Sequence, residues 1–522
     1  MMRRAAVFGW GIVAPECETI DEFSVKLDRA ESFLSPFNGF GPDNFLVGKP
    51  KFDFARYQPW IEQRFPPSRF KQLVDKMDIT TLYGVGSFIQ ALQQNPGIEQ
   101  ALKDLGTAAH VYAATAIGAF PTFYSTSITY YRSQRRWNRF WSEASRNSAF
   151  AAFTRGEAPS PEGLPNPKDA SSIDQKEELE DAWFAYWATC SDGLQRYLAE
   201  LREAESVVLE GDVESGKLTA IREKRRRIGQ LDQKWGTPPP PWGDVSPNVL
   251  WNISNTPASQ ISMLGGIKGL TFGPMASCST FGVALKLALD AIDRQEAKLV
   301  VVGTCDAPPT PLTVGAFYNA RVLAADGQVS KPLSGMKGTH VAGGAALWIV
   351  GDLEYGLSLG FKPLGLEPLS VGISADADHL ITPSKEGPQV AMRDALRAAH
   401  VAPEEIASWD LHATATPGDF LEVENLQTVL PADVLVTARK GTFGHGMGVG
   451  GGWELTAQYL GCARGKLYPT TLTPEEVHQS IHALGQKFVF NQPCAIPNSA
   501  VGKLSMGVGG INACVISRPF AD

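Results

Sequence analysis

The sequence predicts an α/β fold made of two similar halves and interrupted by a helical insertion. Short apolar runs alternate with helical stretches on both sides of the chain's middle, as expected for buried strands joined by helices. Composition changes between about residues 121 and 247, where Trp, Arg, Glu and Pro accumulate. Gly269-Leu-Thr-Phe-Gly273 is echoed by Lys440-Gly-Thr-Phe-Gly444, each followed by a small-residue turn and a helical stretch, so the two halves read as a duplication with a functional site at their junction.

Residues 3–14 read as a first buried strand and its turn. The run is too short and Gly-interrupted for a signal peptide and stops at Pro15-Glu16. Residues 68–94 read as helix and 111–118 as a second strand. Within the insertion, Ser172 to Gln175 has capping-box spacing, and Leu179, Trp183, Tyr186, Leu194, Tyr197 and Leu201 follow at helical spacing. Leu218, Ile221, Ile228, Leu231 and Trp235 mark a second helix, with 211–216 as the turn and Pro238 to Pro241 as the stop. This predicts a helical hairpin, with the basic run Lys224 to Arg227 on a solvated face. The core resumes at about 249. Residues 298–303, 345–350 and 434–437 read as buried strands, and 386–400 and 452–463 as helices.

The chain has 522 residues, 47 basic and 55 acidic, with a net charge of −8, so nothing in its overall balance points to nucleic acid. No apolar stretch is long enough to span a membrane. The seven cysteines are scattered and form no CxxC pair, which argues against a zinc site or a disulfide framework and for a reducing, cytoplasmic setting.

Chemistry concentrates in three small-residue loops. Cys278 lies in Gly273-Pro-Met-Ala-Ser-Cys-Ser-Thr-Phe-Gly282, just before an apolar helical run. A thiol at a helix N-terminus has its thiolate favoured by the free N–H groups and the dipole. Leu411-His412-Ala-Thr-Ala-Thr-Pro417 and Lys440-Gly-Thr-Phe-Gly-His445-Gly follow in order. One Cys and two His so arranged suit thioester chemistry, with the thiolate as acyl acceptor and the imidazoles as donors to a developing oxyanion. The remaining histidines, among them His110, His379, His400, His478 and His482, read as surface or satisfied core groups.

These motifs resemble those of the β-ketoacyl-acyl carrier protein synthases, the condensing-enzyme branch of the thiolase superfamily, in its elongating Cys-His-His class. Ala276-Ser-Cys-Ser-Thr-Phe-Gly282 resembles the nucleophile loop, and His412-Ala-Thr-Ala-Thr-Pro-Gly-Asp419 the His-Gly-Thr-x-Thr-Pro loop. Lys440 and His445 resemble the Lys-x-x-x-x-Gly-His segment, and Met506-Gly-Val-Gly-Gly-Ile-Asn512 the C-terminal Gly-rich strand. The resemblance implies a thiolase fold layered α/β/α/β/α, with residues 1–120 and 248–350 as the N-terminal half, 121–247 as the insertion and 351–522 as the C-terminal half.

It also implies a decarboxylating condensation of a Cys278-bound acyl group with a malonyl thioester on acyl carrier protein, in fatty-acid or polyketide-like synthesis. His412 and His445 would hold the malonyl carbonyl. Lys440, paired with an acid such as Glu422, would orient them, with Asp419 in support. The backbone N–H groups of Cys278 and Val508 would form the acyl oxyanion hole, and Thr414 and Thr416 would hold the phosphopantetheine arm. Arg69, Lys71 and Lys76, interrupted by Asp75, stand where the family has a basic carrier-docking cluster. A homodimer, or a heterodimer, is implied, with no metal and no cofactor beyond the substrate's phosphopantetheine.

The sequence departs from the family pattern where Met506 and Val508 replace aromatics that gate the acyl pocket, and where the loop from His412 to Asp419 is one residue short. Three rival readings are an initiating synthase primed by acyl-CoA, a non-condensing acyltransferase and a non-catalytic chain-length partner subunit. Such subunits often lack the Cys, and initiating synthases pair His with Asn.

Overall fold

The computed structural model describes residues 3–41, 44–206, 213–380 and 382–520. It divides into two compact units, Met1–Pro121 with Leu250–Asp522, and Thr122–Val249.

The larger unit is built on two sheets. The first comprises β1 (Ala5–Val13), β2 (Ala109–Ala114), β3 (Thr271–Phe272), β4 (Leu299–Asp306) and β5 (Gly344–Asp352), in the order β1-β5-β4-β2-β3. The second comprises β6 (Glu367–Ala375), β7 (Ile406–Asp410), β8 (Leu435–Thr437), β9 (Lys487–Phe488), β10 (Ala500–Gly507) and β11 (Ile511–Arg518), in the order β6-β11-β10-β7-β8-β9. Leaving aside the edge strand β9, the sheets share one topology. In each, the first and last strands run antiparallel and the remaining three are parallel. The duplication expected from the sequence is therefore real.

Between the sheets lie two helices, Thr280–Asp293 and Gly450–Cys462. Phe281, Leu285, Trp453 and Tyr459 from these helices share one buried cluster with Val7 and Trp348 of the first sheet and Ala513 and Val515 of the second. Trp348 is packed against both helices, with ring centroids 5.1 Å from Phe281 and 4.7 Å from Tyr459. The outer face of the first sheet is covered by helices Ile79–Leu92 and Thr256–Gly265, and that of the second by Glu386–Ala399 and Gly418–Gln427. Five layers result, α/β/α/β/α. Helix Ile79–Leu92 is buried on nearly every side, which fits its largely apolar, charge-free sequence, since a helix without a polar face has no solvent side.

Two local expectations are corrected. The paired Thr-Phe segments do not correspond, because Thr271-Phe272 is a strand while Lys440–Phe443 is a short helix. The structural echo lies farther on. Ser277 (φ 50°) and Met447 (φ 53°) each open a tight 3₁₀ turn that runs into one of the two central helices. The second correction concerns 506–512, which is not one strand. Met506 and Gly507 end β10, Val508 to Gly510 turn, and β11 begins at Ile511. Gly509 (φ 92°) and Gly510 (φ 73°) supply the left-handed conformations the turn needs.

The smaller unit has more helices than a hairpin. Four of its helices are Ser148–Thr154, Ile173–Thr189, Asp192–Glu205 and Val213–Trp235, and most of Phe120–Ser142 also falls within it. The periodicity from Leu179 to Leu201 spans a break at Cys190. Ser191 there starts a new helix by accepting the Leu194 N–H at 3.1 Å. Ser172 caps as expected, but the Gln175 side chain returns to the Ser171 N–H and not to that of Ser172. Of the expected turn at 211–216, residues 211 and 212 lie outside the described residues, and the helix has begun by Val213. Trp137, Trp141, Tyr197 and Leu231 form the unit's core, where Tyr197 Oη donates to Asp232 at 2.8 Å. Arg226 and Arg227 sit exposed beside Glu223, the solvated face expected of the basic run.

Candidate active site

Cys278 sits in the 3₁₀ turn Ser277–Ser279 that opens the first central helix. Ser277's positive φ is uncommon for a residue with a Cβ, and turns of this kind cluster at functional sites. The turn is held from the opposite half, with Ser279 Oγ donating to the carbonyls of Ser505 (3.0 Å) and Ile511 (2.7 Å). A reciprocal tie runs the other way. Asp306, at the end of β4, accepts from the N–H of Val449 at the start of the second central helix (3.2 Å), and from Thr115 Oγ1 (3.0 Å) and the Ala116 N–H (2.8 Å). Each half thus ties down the start of the other's central helix.

These ties bring Cys278, His412 and His445 together, so that one side-chain ligating atom of each lies within 4.8 Å of the others. All three residues are buried. Cys278 Sγ is 3.3 Å from His445 Nε2, and the imidazole centroids are 5.4 Å apart with ring planes at 82°. The Met447 N–H donates to His445 Nδ1 (3.3 Å), so the neutral ring carries its proton on Nε2, facing the sulfur. His445 is seated by its own N–H, which donates to the His340 carbonyl at 2.6 Å.

Burial pushes the Cys278 thiol up to about 11, although Lys440 and the Val508 backbone N–H both favour the thiolate. The thiolate expected from the helix N-terminus is therefore overruled by desolvation, and Cys278 rests as a thiol. Burial also holds both imidazoles neutral. His445 is lowered to about 3, with Lys440 adding to the effect, and His412 lies well below the usual range.

The His412 loop is clamped by two carboxylates on one face of helix Gly418–Gln427. Glu422 accepts from the N–H groups of His412 (2.6 Å) and Ala413 (2.7 Å). Asp419 accepts from those of Thr414 (2.8 Å), Ala415 (3.1 Å) and Leu333 (2.8 Å). Burial raises Glu422 to about 7 and Asp419 to about 6. Glu422 is accordingly not the partner of Lys440. Lys440 Nζ pairs with Glu454 at 2.7 Å and donates to the His412 carbonyl. Glu454 and the nearby Lys503 and Asp410 are missed by sequence reasoning. The available signal was a charge inside an otherwise apolar helix or strand, since a buried charge requires a partner.

The three residues line a pocket with about 800 Å³ of empty space, including its open mouth. Thr414, Thr416, Met506 and Val508 line it as expected, and the two threonine hydroxyls are 2.9 Å apart. His379, read from sequence as an ordinary surface group, lines the same pocket with Asp376 and Thr382. Arg69, Lys71 and Lys76 are on helix Ser68–Lys76, outside this pocket, with Arg69 bonded to Gln260 at 2.9 Å.

The chain matches the family description "Beta-ketoacyl synthase, N-terminal domain" over residues 227–354 and "Beta-ketoacyl synthase, C-terminal domain" over 369–473. Among curated relatives, 3-oxoacyl-[acyl-carrier-protein] synthase I, chloroplastic, of Hordeum vulgare is 28% identical over 53% of this chain and 61% of its own length. Nodulation protein E of Rhizobium meliloti is 30% identical over 41% and 54%. 3-Oxoacyl-[acyl-carrier-protein] synthase 2 of Staphylococcus aureus is 25% identical over 51% and 66%. The chain thus spans about half to two thirds of the length of these relatives.

Among solved structures, the ishigamide ketosynthase/chain length factor superposes with a TM-score of 0.67 at 19% identity, covering 100% of both chains. A β-ketoacyl synthase from Burkholderia phymatum gives 0.67 at 18%, with the same coverage. A third, titled as a type II polyketide acyl-carrier protein in complex with its ketosynthase, gives 0.62 at 15%. These likenesses establish the fold as that of the ketosynthases. No helix among the described residues is long and apolar enough to cross a membrane, and the seven cysteines are free. The N-terminal match contains Cys278 and the C-terminal match both histidines, so the trio that the geometry brings together lies within the two matches to β-ketoacyl synthase domains.

Proposed function

We propose that this chain catalyses a decarboxylating Claisen condensation between an acyl group carried on Cys278 and a malonyl thioester. The observation that carries the reading is the convergence of one thiol and two neutral imidazoles in the lining of one pocket. In the first half-reaction the Cys278 sulfur attacks an acyl thioester, the bond from the carbonyl to the carrier's sulfur breaks, and the Cys278 proton passes to that sulfur, which leaves as a thiol. The backbone N–H groups of Cys278 and Val508 receive the carbonyl oxygen as its charge develops. In the second, the malonyl thioester oxygen sits between His412 and His445. Its carboxylate leaves as carbon dioxide, and the electron pair passes to an enolate held by the two rings. The enolate carbon then attacks the acyl-Cys278 carbonyl, a carbon–carbon bond forms and the Cys278 sulfur is released.

Neutral rings suit this task, because an N–H donor serves an oxyanion without a proton having to leave first. Thr414 and Thr416, which line the pocket, would hold the phosphopantetheine arm, which arrives on the substrate, so the steps call for no cofactor of the protein's own. An acidic acyl carrier protein is the proposed donor, docking near Arg69, Lys71 and Lys76. Met506 and Val508 would then shape the acyl pocket, and a homodimer in the cytoplasm would be the working form. The test is intact-mass analysis after incubation with acyl-CoA and acyl carrier protein donors. The acyl mass should map to Cys278, and labelling that persists in Cys278→Ala would overturn the assignment.

A further inference from the structure

Behind the pocket, five charged side chains meet away from water. Asp410, Arg439, Lys440, Glu454 and Lys503 are each no more than 2% exposed. Glu454 takes one ammonium on each oxygen, Lys440 at 2.7 Å and Lys503 at 2.8 Å. Lys503 also lies 3.5 Å from Asp410, whose other oxygen accepts from Arg439 Nε at 3.0 Å and Thr437 Oγ1 at 2.6 Å. Three cations thus share two carboxylates, and Glu422 is the next acidic group within electrostatic reach of Lys503.

Both ammoniums bond to backbone at the same place. Lys440 donates to the His412 carbonyl, and Lys503 to the Leu411 carbonyl at 3.2 Å. Glu422 takes the N–H groups of His412 and Ala413 from the other side. The peptide groups before and after His412 are therefore both held by buried charged side chains. Lys503 reaches this position because β10 runs beside β7, with Lys503 opposite Asp410.

We propose that Lys503 is a positioning residue for His412. Joined to Lys440 through Glu454, it fixes the Leu411–His412 peptide and keeps a second ammonium behind the imidazole pair. This rests on the condensing reading above and deepens it. Two buried cations at the back of the rings disfavour imidazolium and attract the negative charge of the enolate. After burial, Lys440 and Lys503 are the cations that lower both imidazoles. Of the two lysines, Lys440 is the one that bears on the Cys278 thiol. Lys503 therefore belongs to the decarboxylation half-reaction more than to acylation. Glu454 and Asp410 hold its charge in place against the cost of burial.

The test compares Lys503→Met, which keeps bulk without charge, with Lys503→Arg, which keeps the charge. Carbon dioxide release from malonyl thioester, single-turnover acylation of Cys278, and the imidazole titration of His412 by NMR are measured for each. In Lys503→Met, release relative to acylation should fall about tenfold or more, the equivalent of one unit of proton affinity. The His412 titration should move toward higher pH, and Lys503→Arg should restore most of both. If Lys503→Met fails to fold, Lys503→Met with Asp410→Asn, which removes one charge of each sign, takes its place. An unmoved His412 titration, or equal loss of both half-reactions, would overturn the proposal. If the wild-type protein releases no carbon dioxide, the condensing reading fails instead, and the His412 titration still decides the positioning role.

Discussion

The two central loop–helix units have the same backbone and different chemistry. Ser277 and Met447 hold the same left-handed conformation, and each opens a 3₁₀ turn followed by a buried helix. One residue on, the first unit carries Cys278 and the second Gly448. A Cβ at Gly448 would lie 3.0 Å from Asp306 Oδ2 and 3.3 Å from the Ser277 carbonyl. The position that carries Cys278 in one half is, in the other, a glycine seated against the Cys278 turn. The second unit carries its imidazole earlier, at His445, before the turn begins. Farther along the helices, Ala284 of the first unit corresponds to Glu454 of the second, and both are buried. The duplicated frame thus supplies two equivalent turns that carry unequal side chains.

The largest effect that separates the units is expected at this last pair. Glu454→Ala makes the second helix like the first at that position, but it leaves Lys440 and Lys503 without their shared carboxylate. Breaking a buried ion pair from one side typically costs about 3–5 kcal/mol, so denaturant unfolding should show a loss of that order. A loss below about 1 kcal/mol, the worth of an exposed pair, would mean that the cluster is solvated.

Next comes His445→Ala. Removing one oxyanion donor costs about a hundredfold or more in rate. Carbon dioxide release should fall by that much while Cys278 still acylates, and release at the wild-type rate would show that the second unit contributes no donor.

The pH dependence of stability comes third. His445, lowered by burial to about 3, binds its proton in the unfolded chain near the usual 6.5 but not in the folded protein. Its contribution is thus intact above pH 6.5 and is lost as pH falls toward 3. Glu422, Asp419 and Asp306 have the opposite sign. Burial raises them to about 7, 6 and 6, so the folded state takes up their protons first and gains stability as pH falls. Comparing wild type with His445→Gln isolates the histidine. Between pH 7.5 and 5 the wild type should lose about 2 kcal/mol more than the variant, and identical pH profiles would mean that His445 is hydrated.

The smallest effect is expected for Gly448→Ala, where a new methyl at 3.0 Å from Asp306 and Ala116 must displace its neighbours by tenths of an ångström. A loss of about 1 kcal/mol, at the low end for overpacking, should be accompanied by slower Cys278 acylation, since the same methyl presses on the Ser277 carbonyl. Unchanged acylation would separate the two turns functionally.

The buried strands β1, β4 and β5 and the helix Glu386–Ala399 were legible in the sequence to within a few residues, because strands covered on both faces are continuously apolar and amphipathic helices keep their period. Strands β6 and β7 were not read, being short or interrupted by polar residues that the fold buries. Ser370, for example, is buried by bonding its hydroxyl to the Ala395 carbonyl at 2.6 Å. In the insertion the helical period ran unbroken through Cys190, while the chain itself stops and restarts there. Periodicity registers which residues face a core and is blind to a turn that preserves the facing.

By itself the sequence picked out Cys278, His412 and His445 as the candidate chemical residues, because each stands in a small-residue loop of the kind that lets backbone and side chain approach a substrate. It determined the duplication as well, though at the wrong register. Only the tertiary structure decided the charge states and the partners. The thiol is a thiol because burial outweighs the helix terminus, and Lys440 answers to Glu454 and not Glu422 because the second central helix brings that carboxylate under it. Lys503, 92 residues from Leu411 along the chain, reaches that carbonyl because two strands lie side by side. Local pattern fixes which atoms a segment carries. Desolvation and long-range pairing depend on what the rest of the chain places around them.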